Sequence, residues 1–391
     1  MNDPPLEAGF SRSESVAVIA MGVTAGCIPA LQPILLNGLL EQHSLNTVQI
    51  GQAATVEALG MAVAMTLAAL FLKPDRLRPV ALCAIIGAFV ANSATGATNG
   101  LTIVLLRGLN GLSSGVLLWI LIGLLARSVA PGRLFAIYVT AQAGLAFALS
   151  LVLNQWIMPT FGAAGGYAVL TLADLALLAA LVALPSSYAP TAAAGAPGAP
   201  PLSGLLALIG SGLFLATIMA FWVYVIPMGR RIGYPLATLA SAVNAAIGVQ
   251  ILAGLAASVL ATRIKPLWAC LAGAVVASGA IGMFLTGGGG ILLFAALAAF
   301  SFVWMFTPPF QMPLLIEVDP SLRSAMLIGS AQLFGVAAGP MLASQTVTNA
   351  DPLPAATVAL ACAGLSIVLT LAASIAHRRR ESRKTAAPAV R

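Results

Sequence analysis

The chain has 391 residues, 60% hydrophobic and only 7% charged, with a mean hydropathy of +1.01. Soluble domains carry about 25% charged residues, so the chain lacks the side chains to cover a water-facing surface, and lipid is its expected outer solvent. Its net charge of +7 sits in short loops and a tail, with no basic face interleaved with aromatics, which excludes nucleic acid as an expected partner.

A bilayer core about 30 Å thick needs about 20 apolar residues per helix. Breaks at Pro, Gly and charge clusters predict twelve helices, at 16–39, 50–72, 80–97, 101–126, 134–158, 163–184, 204–227, 235–261, 267–286, 291–314, 324–345 and 354–376. Barrel strands would alternate polar and apolar residues over about ten positions, and stretches such as 291–303 do not. The tail 1–15 contains Asp3, Glu7 and Glu14, unlike the basic start of a signal peptide, so the first helix is expected to stay as a span. Pro33 is expected to bend it. Pro308-Pro309 is expected to kink helix ten, because two prolines remove two backbone donors. The uncharged, Pro-, Ala- and Gly-rich segment 185–203 reads as a flexible tether. It divides the chain into a six-helix bundle over 16–184 and another over 204–377. A basic tail, 378–391, follows and is expected to lie unstructured near anionic headgroups.

Orientation follows from Lys and Arg. With an internal N-terminus, fifteen of them fall in inner loops and tails and only Arg230 and Arg231 fall outside. Both termini are therefore expected in the cytoplasm, with the chain crossing a cell (inner) membrane many times.

The halves resemble each other. Arg76-Leu77-Arg78-Pro79 returns 187 residues later as Arg263-Ile264-Lys265-Pro266. Arg133 precedes Gln142 by nine residues, as Arg323 precedes Gln332. Two similar halves commonly enclose a solute path.

Three ionisable residues lie well inside predicted helices: Glu57, Arg107 and Asp174. Each is costly in lipid and is a functional candidate on that ground. Glu57 and Arg107 both lie roughly 10 Å from the same end of the bilayer, so they can pair. Burial favours a neutral carboxyl and a guanidinium favours an ionised one, so the pair is a candidate proton-coupling device. A static pair joining two helices is the plainer reading. Asp174, near mid-membrane in helix six, is the third coupling candidate. It can alternatively stand as a neutral acid donating to a carbonyl.

Polar and aromatic residues supply candidates for solute binding. They are Gln32 and Asn37 in helix one, Arg107, the symmetric Gln142 and Gln332, and Asn244, which stands where the repeat places Glu57. Helix ten adds Trp304, Phe306 and Gln311 beside its prolines. For each, packing between helices is the alternative. Gly108, Gly111 and Gly115 read as a close-packing stripe. Cys27, Cys83, Cys270 and Cys362 lie far apart in apolar runs and read as buried free thiols. No P-loop is present, so ATP is not expected to drive the chain directly. His43 and His377 sit at membrane edges, so neither a metal nor another cofactor is expected, and no enzyme signature appears.

Twelve helices, a central linker and a repeat resemble the major facilitator superfamily. After helix two that family typically reads G-x-x-x-D-R-x-G-R-R. Here Phe71-Leu72-Lys73-Pro74-Asp75-Arg76-Leu77-Arg78-Pro79 keeps the Asp-Arg pair and a following base but lacks both glycines. Helix four carries Arg107, Gly111 and Gly115 at the family's R-x-x-x-G-x-x-x-G spacing. The Gly-Pro motif of many antiporters is missing from helix five, while Gly335 to Pro340 in helix eleven is loosely similar. The resemblance implies two bundles rocking about a central cavity. It also implies a cytoplasmic gate of loop charges, here Asp75, Arg76, Arg78, Arg133, Arg263, Glu317 or Asp319, and Arg323.

The expected protein is a monomeric, proton-coupled secondary transporter of a small organic anion or an amphipathic aromatic solute, with uptake favoured. Two alternatives stand beside it. One is a proton-coupled multidrug efflux antiporter, and the other a non-transporting membrane receptor or scaffold.

Overall fold

The computed structural model describes residues 10–73, 75–125, 127–128, 131–188, 199–260 and 263–386, and among them every regular element is a helix. Among the described residues nine helices are long and apolar enough to cross a bilayer, and a bent pair makes a tenth. One of the nine, Ile137–Ala183, has 47 residues. At 1.5 Å per residue it would measure about 70 Å, twice the hydrocarbon thickness. It is two spans, broken at Gly162, whose φ of +61° a side chain would resist. The short helix Arg323–Met326 followed by Ile328–Ser344 completes twelve.

In chain order, span one is Arg12–Gly26 with Ile28–Glu41, span two Thr47–Phe71, span three Leu77–Thr95 and span four Leu101–Leu125. Span five is Pro131–Val152 with a π-turn at Leu153–Ile157, and span six lies within Met158–Ala183. Span seven is Leu202–Trp222 with Val225–Ile232, span eight Leu236–Leu260 and span nine Pro266–Leu285. Span ten is Gly290–Phe306 with Pro308–Val318, span eleven Arg323–Ser344 and span twelve Pro354–Ala386. An even number of crossings puts both ends of the described chain on one face, called here the near face; the opposite is the far face.

Local chemistry sets several boundaries differently from the hydropathy reading. Span one starts at Arg12 because Ser11 and Glu14 form a capping box. Asn46 and Gln49 do the same for span two. Span one breaks at Cys27, next to Pro29 in the first turn of its second helix. Pro33, expected to bend it, sits inside a continuous helix. The double proline does kink span ten, by 44°. The basic tail is not unstructured at its start, since span twelve stays helical through Ala386. Arg, Glu, Ser and Lys extend an anchored helix at little cost, and neither Gly nor Pro interrupts them. Residues 387–391 lie outside the described residues.

The linker is tied at both ends of its described part. Leu77 N–H donates to Ser186 O at 3.0 Å, and the buried Tyr188 donates to Ile120 O at 2.9 Å. Arg323 reaches Ala199 O at 3.3 Å. The tether reading is therefore wrong for residues 185–188, where Tyr188 offers an aromatic surface to bury; residues 189–198 lie outside the described residues. Cys83 also departs from expectation, being exposed.

Spans one to six form one bundle and seven to twelve the other. Span two crosses span four tightly, and span seven crosses spans eleven and twelve. Small residues make this possible. Gly111 and Gly115 lie on the carbonyls of Glu57 and Met61, while Gly335 and Gly339 lie on those of Gly212 and Ala216. The outward faces carry exposed Leu105, Leu172, Val182 and Ile291, a surface suited to lipid.

At the near end of span ten, Asp319 accepts from Ser321 N–H and hydroxyl (3.1 and 2.5 Å) and from Ser324 N–H and hydroxyl (2.9 and 2.7 Å). Burial opposes its ionisation, but the four donors outweigh burial and hold the carboxyl below its ordinary range. A depressed folded-state value stabilises the fold above the ordinary carboxylate range and stops doing so as pH falls through it. Asp319→Ala should therefore lower the melting temperature at neutral pH, and its difference from wild type should shrink on acidification. Thermal unfolding in detergent at two pH values measures this.

Candidate functional site

Span four brings Arg107 into the middle of the first bundle, and the bundle answers with polar groups from four other spans. Arg107 Nη1 donates to Glu57 Oε1 of span two at 3.2 Å. Arg107 Nη2 donates to Asn92 Oδ1 at 2.6 Å and to Thr95 Oγ1 at 3.3 Å, both on span three. The Tyr167 ring of span six lies 4.8 Å from the guanidinium carbon. Glu57 Oε1 also accepts from Asn110 Nδ2 at 2.7 Å, and Glu57 Oε2 from Gln32 Nε2 of span one at 3.2 Å. Asn92 Nδ2 donates to Asp174 Oδ2 of span six at 2.7 Å.

Each of these polar side chains is at least nine-tenths buried, Arg107 being 1% exposed and Glu57 3%. The set holds two carboxyls and one guanidinium. With all three ionised it carries one excess negative charge away from water, a costly state that one bound proton removes.

The three ionisable candidates thus belong to one network. Gln32 joins them, and Asn37 does not: its Oδ1 is buried without a partner beside a far-face depression of about 1050 Å³. His43, Asn46, Arg230 and Arg231 also line that depression. Gln142 donates to Gly26 O at 2.8 Å, at the break in span one. Gln332 donates to Gln311 Oε1 at 2.8 Å. The symmetric glutamines therefore bond within their own bundles. Asn244 accepts from Asn154 Nδ2 of span five at 2.6 Å, so the repeat equivalent of Glu57 faces the other bundle. Trp304 packs 5.4 Å from Trp222, whereas Phe306 turns toward Phe302 and Phe310.

Asn92, Thr95, Asn110, Tyr167 and Trp222 were not among the sequence candidates. Asn110 had a readable signal, standing three residues after Arg107 and hence on the same helix face. Asn92 had none, because a neutral amide in an apolar run usually joins helices.

The bundles meet along spans two and eleven and along spans five and eight. Among the described residues three hydrogen bonds cross this boundary, and all lie toward the far face. Besides Asn154 to Asn244, they are Trp222 Nε1 to Ala30 O at 3.3 Å and Arg230 Nη1 to Glu41 Oε1 at 2.6 Å. Gly51 of span two touches Tyr224 and Ser344 there. On the near face, Asp75, Arg76, Arg263 and Glu317 are exposed, and no ion pair joins them to one another or to Arg78 or Arg323. Arg78 Nε instead donates to Leu184 O at 2.7 Å, and Asp319 is held by its serines. The charges named for a cytoplasmic gate are thus not paired with one another in this conformation; the side chain of Arg133 lies outside the described residues.

No family model and no curated protein sequence matches the chain. Solved structures do. The crystal structure of a D-xylose-proton symporter superposes with a TM-score of 0.70 at 12% identity, covering 92% of this chain and 96% of its own. A mutant form of the nucleoside transporter NupG gives 0.64 at 12% identity, over 92% and 99%. At that identity the likeness is one of fold: two bundles of six helices, as in major facilitator transporters.

Proposed function

We propose that the chain is a proton-coupled secondary transporter working by alternating access, with its near face in the cytoplasm. The observation that carries this reading is the buried network of Glu57, Arg107, Asn92 and Asp174, one acid in excess over base. Lipid-facing proteins tolerate such groups where charge or solute must move. Two solved structures of like fold are a D-xylose-proton symporter and a nucleoside transporter, which supports the same class.

Of the two solute classes, the amphipathic aromatic one fits better. Arg107 would be the partner of an anion, yet both of its terminal nitrogens and its flat face are engaged. Trp222, Phe300 and Trp304 form an aromatic cluster, and Trp222 reaches across the bundle boundary to Ala30. Separating the bundles exposes that indole to a ring-bearing solute. The direction we assign is uptake, since span five lacks the antiporter Gly-Pro motif: after Pro131-Gly132 in its first turn its one glycine is Gly144, where an added Cβ would meet nothing within 4 Å.

Purified protein in liposomes with an internal pH dye tests the proposal. Neutral amphipathic aromatics should acidify the lumen as they enter, and Trp222→Ala should weaken that response at least tenfold. A panel in which no solute moves protons, or in which aromatic carboxylates alone do, would overturn the class or the solute respectively.

Alternating access also predicts an effect at Gly51, where an added Cβ meets Tyr224, Ser344 and the Pro340 carbonyl of the opposite bundle. Gly51→Val should push the far-face ends apart. Spin labels placed through Ser44→Cys and Asn349→Cys should report a separation longer by several ångströms than in the same labelled protein with Gly51. An unchanged distance would mean that this contact does not hold the closed far face.

A further inference from the structure

The network's two carboxyls are not equivalent, and the difference says which of them holds the proton. Glu57 accepts from Arg107, Asn110 and Gln32, so a cation and two amides stabilise its charge. Asp174 accepts from Asn92 alone. The groups facing Asp174 are few. Span three presents Asn92, span four Arg107 from beyond that amide, and span one the thiol of Cys27. Its own helix presents Tyr167, whose ring is taken up by Arg107. Among the described residues no cation touches Asp174 directly.

We infer that Asp174 is the residue that binds the coupling proton, that Glu57 is the counter-ion of Arg107, and that Asn92 is the positioning residue linking the two. This rests on the proton-coupled reading above and deepens it.

The role of Asn92 follows from its two bonds. Arg107 can only donate, so it fixes the Asn92 carbonyl toward itself. The amide NH₂ is thereby turned to Asp174, the one group it can serve there. While Asp174 is a neutral acid, its carbonyl oxygen accepts that bond and the excess charge of the site is gone. When the proton leaves, a carboxylate stands on Asn92 and competes with Glu57 for the guanidinium. Arg107 then has two anions to divide itself between. A shift of Arg107 toward Asp174 loosens Glu57, which keeps Asn110 and Gln32 as donors, and Gln32 lies on span one, two residues from the Ala30 carbonyl that Trp222 of the other bundle holds. Proton loss in span six thus reaches one of the contacts across the bundle boundary.

Isotope-edited infrared difference spectroscopy on the reconstituted full chain tests the assignment without any substitution. A pH jump across neutrality should show the carbonyl band of a protonated carboxyl. Carbon-13 labelling of aspartate should move that band to lower frequency, and labelling of glutamate should leave it in place. A band that moves with glutamate label would overturn the assignment to Asp174 while leaving proton coupling standing. The lack of any titrating carboxyl would sink the coupled reading beneath it as well. Two variants complete the test. Asp174→Asn should abolish the band in protein that elutes as wild type does, and if that variant fails to fold, Asp174→Glu should convert the band from aspartate-labelled to glutamate-labelled. Persistence of the aspartate band in either variant contradicts the inference. Asn92→Leu should shift the midpoint of the titration, whereas a merely structural Asn92 would leave that midpoint where it was.

Discussion

Arg107→Leu should cost the protein about 3–5 kcal/mol, the range for removing one partner of a buried ion pair. The substitution keeps the bulk of the stem but leaves the Glu57 carboxylate buried without its guanidinium partner. It also uncovers the Tyr167 ring and strands the Asn92 carbonyl. Thermal unfolding in detergent should show a large drop, and the double variant Arg107→Leu with Glu57→Leu should recover most of it. If the single variant is as stable as wild type, the pair does not hold spans two and four together. If the double variant is worse than the single one, the cost arises from lost packing around Arg107 rather than from an uncompensated acid.

Gly111→Val should be comparably severe, for a steric reason. An added Cβ at Gly111 runs into the carbonyl of Glu57, a backbone atom that cannot turn aside. Overpacking of a core costs about 1–3 kcal/mol and more where only backbone can yield. Here the displaced backbone also carries the Glu57 side chain, so the ion pair loosens together with the crossing. Gly335→Val should act in the same way on the second bundle, where the obstacle is the Gly212 carbonyl. Gly144→Ala is the matching control, since a Cβ there meets nothing within 4 Å. Yield of folded protein and melting temperature should fall for the first two and stay put for the third. Equal behaviour of all three would mean that these crossings are looser than the geometry indicates.

Much of the architecture was legible because lipid is an unforgiving solvent. A helix must be long and apolar to cross it, and turns must gather Gly, Pro and charge. The breaks at Gly162 and at Pro308-Pro309 follow from those demands. Legibility failed where the controlling group was small or polar. The start of span one depends on one Ser and one Glu, which hydropathy averages away. Pro33 looked like a bend, but a proline is tolerated inside a helix when neighbouring groups satisfy what it frees, and the break fell at Cys27.

The site was half legible for a related reason. Glu57, Arg107 and Asp174 announce themselves by the cost of charge in a membrane. Their order of connection cannot be read from spacing, because Asn92, 15 positions from Arg107 in the chain, supplies the link. Asp174, on span six, accepts from Asn92 and not from Arg107. It reaches the network through that amide. Gln142 and Gln332 show the converse: matched sequence positions suggested a shared solute path, yet each satisfies a partner in its own bundle.

The most direct test of the account is proton flux through Glu57→Gln in liposomes loaded with a pH dye. Removing one of two acids leaves Arg107 and Asp174 as a neutral couple, so the site no longer needs a proton. The glutamine keeps partners in Asn110 and Gln32, so the fold should survive. The account predicts solute exchange across the membrane with no accompanying change in internal pH. A variant that still moves protons with solute at the wild-type ratio would contradict it.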